Sequence, residues 1–111
     1  MANKFKLHPI LLNNTSENTL ITAGSDSILI VSSILICNIH ATTDSTVTLT
    51  ITDSSASADF NILTTESIKR TVSREVLSRP LILENGDALK ATAAAGNIYN
   101  VFISYLDRDR T

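Results

Sequence analysis

The amino-acid sequence predicts an all-β protein, an antiparallel β-sandwich or jelly-roll of about eight short strands. Isoleucine and threonine are abundant, and their branched β-carbons favour strands over helices. Short apolar runs alternate with polar turn sequences, which is typical of antiparallel sheets. The 111 residues are expected to form a single domain, 1–111, because a chain of this length supports one hydrophobic core.

The longest apolar run, residues 28–40, is predicted to be the central strand. Successive side chains of a strand point to opposite faces, so regular alternation divides this run into two sets. One face carries Leu29, Val31, Leu35, Cys37 and Ile39, and the other carries Ile28, Ile30, Ile34 and Ile36. Because both faces are apolar, we expect one to pack in the core and the other to be covered by something else, such as another chain.

The amino-terminal residues 1–13 are predicted to form an arm or an edge strand that carries Phe5 and Leu7. Pro9 interrupts a continuous hydrogen-bond ladder there, which is tolerated at a sheet edge. Alternating or β-branched runs predict further strands at residues 19–22, 46–52 and 59–65.

Residues 66–79 fit two alternatives. Ile68, Val72 and Val76 recur every four residues, as they would on one face of a helix. Pro80, however, moves the residue before it out of helical geometry, which favours a strand and a charged loop. The strand-and-loop alternative is the preferred prediction.

The last third of the chain shows the clearest turn signals. Asn85-Gly86 lies between two apolar runs and predicts a β-hairpin with a type I′ turn. Residues 98–106 are predicted to be the final strand, and both of its faces carry apolar side chains. The charge-alternating tail, residues 107–111, is expected to be solvated.

The composition argues against several classes of function. A net charge of −2, with 18% charged residues, provides no strong attraction for nucleic acid or an anionic membrane. The single cysteine and the lack of a secretory signal predict synthesis in a cytoplasm. Because metal-binding clusters, phosphate loops and catalytic motifs are missing from the sequence, we expect no cofactor, no metal and no enzyme activity.

One basic concentration is present, formed by Lys69, Arg70, Arg74 and Arg79. It lacks the neighbouring aromatic residues that a single-stranded nucleic-acid surface would use, so a solvated loop or a salt-bridged protein contact is expected. The candidate protein interface comprises the second apolar face of the central strand, the arm and this basic group: Ile28, Ile30, Ile34, Ile36, Phe5, Leu7, Arg70, Arg74 and Arg79.

Four segments together suggest a family. The strand patterns of residues 30–38, 45–57 and 101–106, with the strand and Gly86-Asp87 turn within 80–90, resemble small virion proteins of tailed bacteriophages. The resemblance covers most of the chain after Leu20. It implies a particle component without turnover chemistry, located in the virion and made in the host cytoplasm.

The leading functional hypothesis is a capsid decoration or cement protein that forms a homo-oligomer, for which a trimer is one form, and binds the major capsid protein. A neck or tail connector component is the alternative within the particle. A carbohydrate-binding module is the alternative from another class, and it would require Tyr99 and Tyr105 to be exposed on a flat face.

Overall fold

A computed structural model describes residues 2–40 and 42–109, and this part of the chain contains nine strands in two antiparallel sheets. The strands are β1 (Ala2–Leu12), β2 (Asn18–Thr22), β3 (Ser27–Asn38), β4 (Ser45–Asp53), β5 (Ala58–Ile68), β6 (Ser73–Glu75), β7 (Leu81–Leu83), β8 (Ala88–Ala93) and β9 (Tyr99–Asp109). The predicted all-β sandwich is confirmed. The described residues include no helix that is long and apolar enough to cross a membrane.

The strand order is nested. The five-stranded sheet has the order β1-β9-β3-β6, with β7 also paired to β3, and the four-stranded sheet has the order β2-β8-β4-β5. Early strands therefore pair with late ones, β1 with β9 and β2 with β8. If β6 and β7 are counted as one interrupted strand, this is the order of a jelly roll.

The core lies between the two sheets and consists almost entirely of aliphatic side chains. Alternate residues of the strands point into it, as the half-buried antiparallel pattern requires. The largest fully buried side chains are Tyr99, Leu12, Ile34, Ile36, Leu49, Ile68, Leu83, Leu89, Ile103, Val31, Val47 and Val101.

A β-bulge in β3 changes the predicted division of its faces. Val31 pairs with Tyr105 of β9 and Ser33 pairs with Ser104, so Ser32 is an extra residue in the ladder. One extra residue reverses the alternation of every side chain beyond it.

As a result, the core face of β3 combines both predicted sets. Val31 before the bulge and Ile34 and Ile36 after it are all completely buried. The expectation that Ile34 and Ile36 share a face with Ile28 and Ile30 is therefore wrong. The opposite face carries Ile28, Ile30, Leu35 and Cys37, which are half-buried.

The amino-terminal segment is an edge strand. β1 pairs with β9 from Ala2 to Leu12 without a register shift, and Pro9 lies opposite Phe102. The predicted solvated tail is partly wrong, because β9 continues to Asp109. The Asp107 carboxylate is 3.3 Å from the Lys6 ammonium group. Residues 110–111 lie outside the described part of the chain.

The ambiguous segment, residues 66–79, contains the end of β5 and all of β6, joined by a loop. The strand-and-loop prediction is confirmed. The predicted hairpin at Asn85-Gly86 is wrong, because β7 belongs to the five-stranded sheet and β8 to the other. The Asp87 N–H donates to the Glu84 carbonyl at 2.8 Å, and Gly86 has a φ of 85°. This is the geometry of a type II turn that connects the sheets.

A buried polar contact joins the two sheets at one end. The Asn38 amide donates to the carbonyls of Ile68, at 2.9 Å, and Thr43, at 3.1 Å. Its oxygen accepts a hydrogen bond from the His40 N–H at 2.9 Å. The Tyr99 hydroxyl also donates to the Ile68 carbonyl, at 3.2 Å. Asn38 on β3 therefore holds the end of β5 against the five-stranded sheet.

This contact predicts unequal costs for two substitutions. Asn38→Ala should lower the free energy of unfolding by about 1–3 kcal/mol, because it removes the hydrogen-bond partner of the part-buried Thr43 carbonyl and His40 N–H and one of two donors to Ile68. Tyr99→Phe should cost only about 0.5–1.5 kcal/mol, because Asn38 still donates to Ile68. Urea unfolding of both variants tests this, and a larger loss for Tyr99→Phe would contradict the assignment.

The bulge predicts which isoleucines of β3 stabilise the subunit. Ile34→Ala should lower the free energy of unfolding by about 2–5 kcal/mol, because it opens a cavity in the core. Ile30→Ala, on the opposite face, should cost less than about 2 kcal/mol because that side chain is only half-buried. Chemical denaturation compares the two, and equal costs would argue against the bulge.

Candidate protein interface on the outer face of the five-stranded sheet

The side of the five-stranded sheet that faces away from the core carries apolar side chains in straight rows across the strands. We name this side the outer face. In its first row, Phe5 of β1 pairs with Leu106 of β9, Leu106 pairs with Ile30 of β3, and Ile30 pairs with Ile82 of β7. These four residues form what we name the first ridge.

Three further rows follow along the strands at intervals of two residues. The next row, which we name the serine row, consists of Leu7, Ser104 and Ser33. The row after it, the second ridge, consists of Pro9, Phe102 and Leu35. The last, the small-residue row, consists of Leu11, Asn100, Cys37 and Ser73. The four rows cover about 14 Å across the strands and about 20 Å along them. Rows of large side chains thus alternate with rows whose central positions are small.

Several side chains of the outer face are open to solvent. Phe5 is 87% exposed, Leu7 61%, Ile82 58% and Leu11 45%. An apolar surface that is contiguous over four strands is typical of a binding site, because isolated exposed side chains would be scattered.

The outer face carries little free charge. Glu75 of β6 lies beside Leu35 at the end of the second ridge. Its carboxylate accepts hydrogen bonds from the backbone N–H groups of Ile34, at 2.9 Å, and Leu77, at 3.2 Å, and from the Ser33 hydroxyl. Glu75 therefore supplies partners to the bulge of β3, and its charge is engaged within the subunit.

These hydrogen bonds set the protonation of Glu75. Partial burial acts to raise the pKa of its carboxyl group, but the hydrogen bonds from Ser33, Ile34, Leu77 and Val76 outweigh it. The net pKa lies below the ordinary value for glutamate. The carboxylate therefore stabilises the fold at neutral pH, and this contribution is lost as the pH falls through the acidic range.

Replacement of Glu75 should change the pH dependence of stability. Glu75→Gln is expected to lower the free energy of unfolding at pH 7 by about 1 kcal/mol, since the group is largely solvent-accessible. The difference from the natural protein should shrink below about pH 4, where the glutamate is protonated. Urea titrations at both pH values test this, and a constant difference would show that the charge is unimportant.

The structure separates the residues that were predicted to form one interface. Phe5, Leu7, Ile28 and Ile30 lie on the outer face, whereas Ile34 and Ile36 are core residues that a partner cannot contact in this conformation. The two isoleucines were misplaced because the bulge cannot be recognised from the alternation of apolar residues alone.

The basic residues lie elsewhere. Arg70 is 3.7 Å from the Asp44 carboxylate, to which its backbone N–H also donates. Arg74 forms an ion pair with Glu66, and Arg79 is exposed in the connection between β6 and β7. The pairing of Arg70 and Arg74 within the chain fits the expectation of a solvated loop better than that of a basic docking site.

Sequence reasoning missed most of the outer face. The last strand was predicted to be apolar on both faces, but the pairing of its Phe102 and Leu106 with β1 and β3 was unknown. Leu35 was assigned to the opposite set because of the bulge. The missed members of the interface are Leu11, Leu35, Ile82, Phe102 and Leu106.

Other candidate sites have structural roles or are inaccessible. Among the described residues, no group of three histidine, cysteine or acidic side chains could hold a metal ion. The Asp53 carboxylate accepts from the N–H groups of Ser55 and Ala56, at 3.0 and 3.3 Å, as expected in a turn. Tyr99 is completely buried and Tyr105 packs against the core, so neither forms a flat aromatic platform for sugars.

Comparison with known proteins supports the fold. No protein-family model matches the chain, and no curated protein matches it significantly in sequence. A chain from the Bacillus endospore appendages, which are disulfide-linked pili, is similar with a TM-score of 0.59 and 10% identity, over 99% of this chain and 88% of that one. A chain from the acid-stable capsid of the Helicobacter pylori bacteriophage KHP30 is similar with a TM-score of 0.54 and 11% identity, over 97% and 89%. At these identities the likeness is one of fold.

Proposed function

We propose that this chain is a structural virion protein, and more specifically a capsid decoration protein whose attachment depends on the outer face. The observation that carries the proposal is the set of exposed apolar rows, with Phe5 at 87% and Ile82 at 58% exposure. Solvent exposure of such rows is unfavourable, and association with another protein removes it. The protein would act by adhesion.

Two further observations support a virion role. The fold is shared with a chain of a phage capsid, over nearly the whole length of both chains. The strand patterns also resemble those of small virion proteins of tailed bacteriophages. The major capsid protein is the proposed partner, and a neck or tail location remains the second candidate because the same face would serve there.

The apolar side chains of the outer face can supply enough free energy for specific association with another protein. Burial of a large apolar side chain contributes about 1.5–3 kcal/mol, and the first ridge alone offers Phe5, Leu106, Ile30 and Ile82. Association costs at least about 4 kcal/mol in lost translational and rotational freedom. Several side chains from these rows therefore have to be buried together, which favours an extended contact over a point contact.

Binding to capsids tests the proposal. Purified protein should co-sediment with capsids of its phage that lack it, and Phe5→Asp should weaken binding by about tenfold or more because a charge would replace a buried ring. Phe60→Asp is the matched control, because Phe60 is an exposed phenylalanine, 56% accessible, on edge strand β5 of the other sheet.

Failure of the natural protein to bind capsids would refute the decoration role. An equal loss for Phe60→Asp would show that the outer face is not responsible. The copy number in purified virions separates the two locations, since decoration covers the whole capsid surface whereas a connector forms a single ring.

A further inference from the structure

We infer that the outer face pairs with the outer face of a second copy of this chain, about a two-fold axis that runs across the strands between the serine row and the second ridge. The inference rests on the proposed function, because it names the occupant of the same surface. Capsid attachment would then depend on the outer face indirectly, because the pair is the form that binds and it would contact the capsid through its other surfaces.

The sizes of the side chains are self-complementary on the two central strands of the face, β9 and β3. On β9 and β3, large side chains occupy the two ridges, and small ones occupy the serine row and the small-residue row. The order along the strands is therefore large, small, large, small. A rotation of 180° about the proposed axis exchanges the second ridge with the serine row, and the first ridge with the small-residue row.

This operation places each large side chain of the two central strands over a small one. Phe102 comes to lie over Ser104 of the second copy, and Leu35 over Ser33 of the second copy. In the outer pair of rows, Leu106 covers Asn100 of the second copy and Ile30 covers Cys37 of the second copy. Two sheets that pack face to face interdigitate in this way at about 10 Å separation.

The interrupted edge of the sheet fits the same operation. β7 pairs with β3 at the first ridge and β6 pairs with β3 at the small-residue row, so both occupy the same side of β3. The rotation therefore brings Ile82 of β7 over Ser73 of β6 of the second copy. At this edge no large side chain opposes another. At the β1 edge the rotation instead places Phe5 over Leu11, so there the two copies would pack large apolar side chains against each other.

Charge also favours a second copy over a charged partner. The four rows contain no lysine, arginine or aspartate, and their one glutamate, Glu75 at the end of the second ridge, is engaged with the bulge. A neutral apolar surface gains nothing from an acidic or basic partner, but it matches its own copy without burying an unpaired charge. The footprint, about 14 by 20 Å or about 280 Å² per subunit, is below the roughly 800 Å² per partner of a standard specific interface, so the pair should be weak and reversible.

Cross-linking tests the pairing and its register. Ile30 and Cys37 are about 20 Å apart along β3 of one subunit, but the proposed pair places each over the other residue of the second copy. Ile30→Cys in the natural Cys37 background should therefore give a covalent dimer with a bis-maleimide that spans about 10 Å, the spacing of packed sheets. The natural protein and the Ile30→Cys, Cys37→Ser double variant each have one thiol in this region and should remain uncross-linked.

A second measurement covers the case in which Ile30→Cys fails to fold. In sedimentation equilibrium the natural protein should dimerise, and Ser104→Arg should weaken dimerisation by about tenfold or more because it blocks the position of Phe102 of the second copy. Thr19→Arg is the control, since Thr19 is exposed on β2 of the opposite sheet. A monomeric natural protein, or equal effects of the two arginines, would overturn the inference.

The outcomes separate this inference from the proposed function. A monomer whose capsid binding is lost in Ser104→Arg would mean that the capsid itself occupies the outer face, so the function would stand and the pairing would fall. A cross-linked dimer that ignores capsids would support the pairing and refute decoration.

Discussion

The β-bulge at Ser32 and Ser33 determines how the subunit is built. β3 pairs with β9 on one side and with both β6 and β7 on the other. The residues of β3 that point to the core therefore determine which residues of the neighbouring strands point to the core as well. Because the side-chain period of a strand is two residues, a regular β3 would expose either Val31 or Ile34. The extra residue allows both to be completely buried.

The bulge also explains why the facing edge strand is interrupted. β7 pairs with residues 29–31 and β6 with residues 35–37, so the chain leaves the sheet opposite the bulge. The backbone groups of Ile34 that the ladder cannot satisfy find other partners. Its N–H donates to the Glu75 carboxylate, and its carbonyl accepts from the Val76 N–H at 2.8 Å. The bulge, Glu75 and the break between β6 and β7 are thus one structural feature.

The sequence was sufficient for the fold class and for most strands, because β-branched residues and regular alternation of apolar and polar residues indicate a half-buried strand without knowledge of its partners. It was insufficient where the outcome depended on pairing between distant strands. The bulge could not be seen, so Ile34 and Ile36 were assigned to the wrong face. Asn85-Gly86 was interpreted as a hairpin turn, although Gly86 instead allows a turn between the two sheets. The site residues Phe5 and Ile30 were found, but their alignment in one row required the register.

The two outer faces of the sandwich differ in a way that localises association. On the four-stranded sheet, the outward positions of β4 carry threonines, and Thr48 of β4 pairs with Thr92 of β8. Those hydroxyl groups can remain hydrated. The equivalent positions of the five-stranded sheet carry Phe102, Leu106 and Leu35, although nothing in the core requires apolar residues there. A sandwich selected for solubility alone would be polar on both sides, so the asymmetry agrees with the proposal that association takes place through the five-stranded sheet.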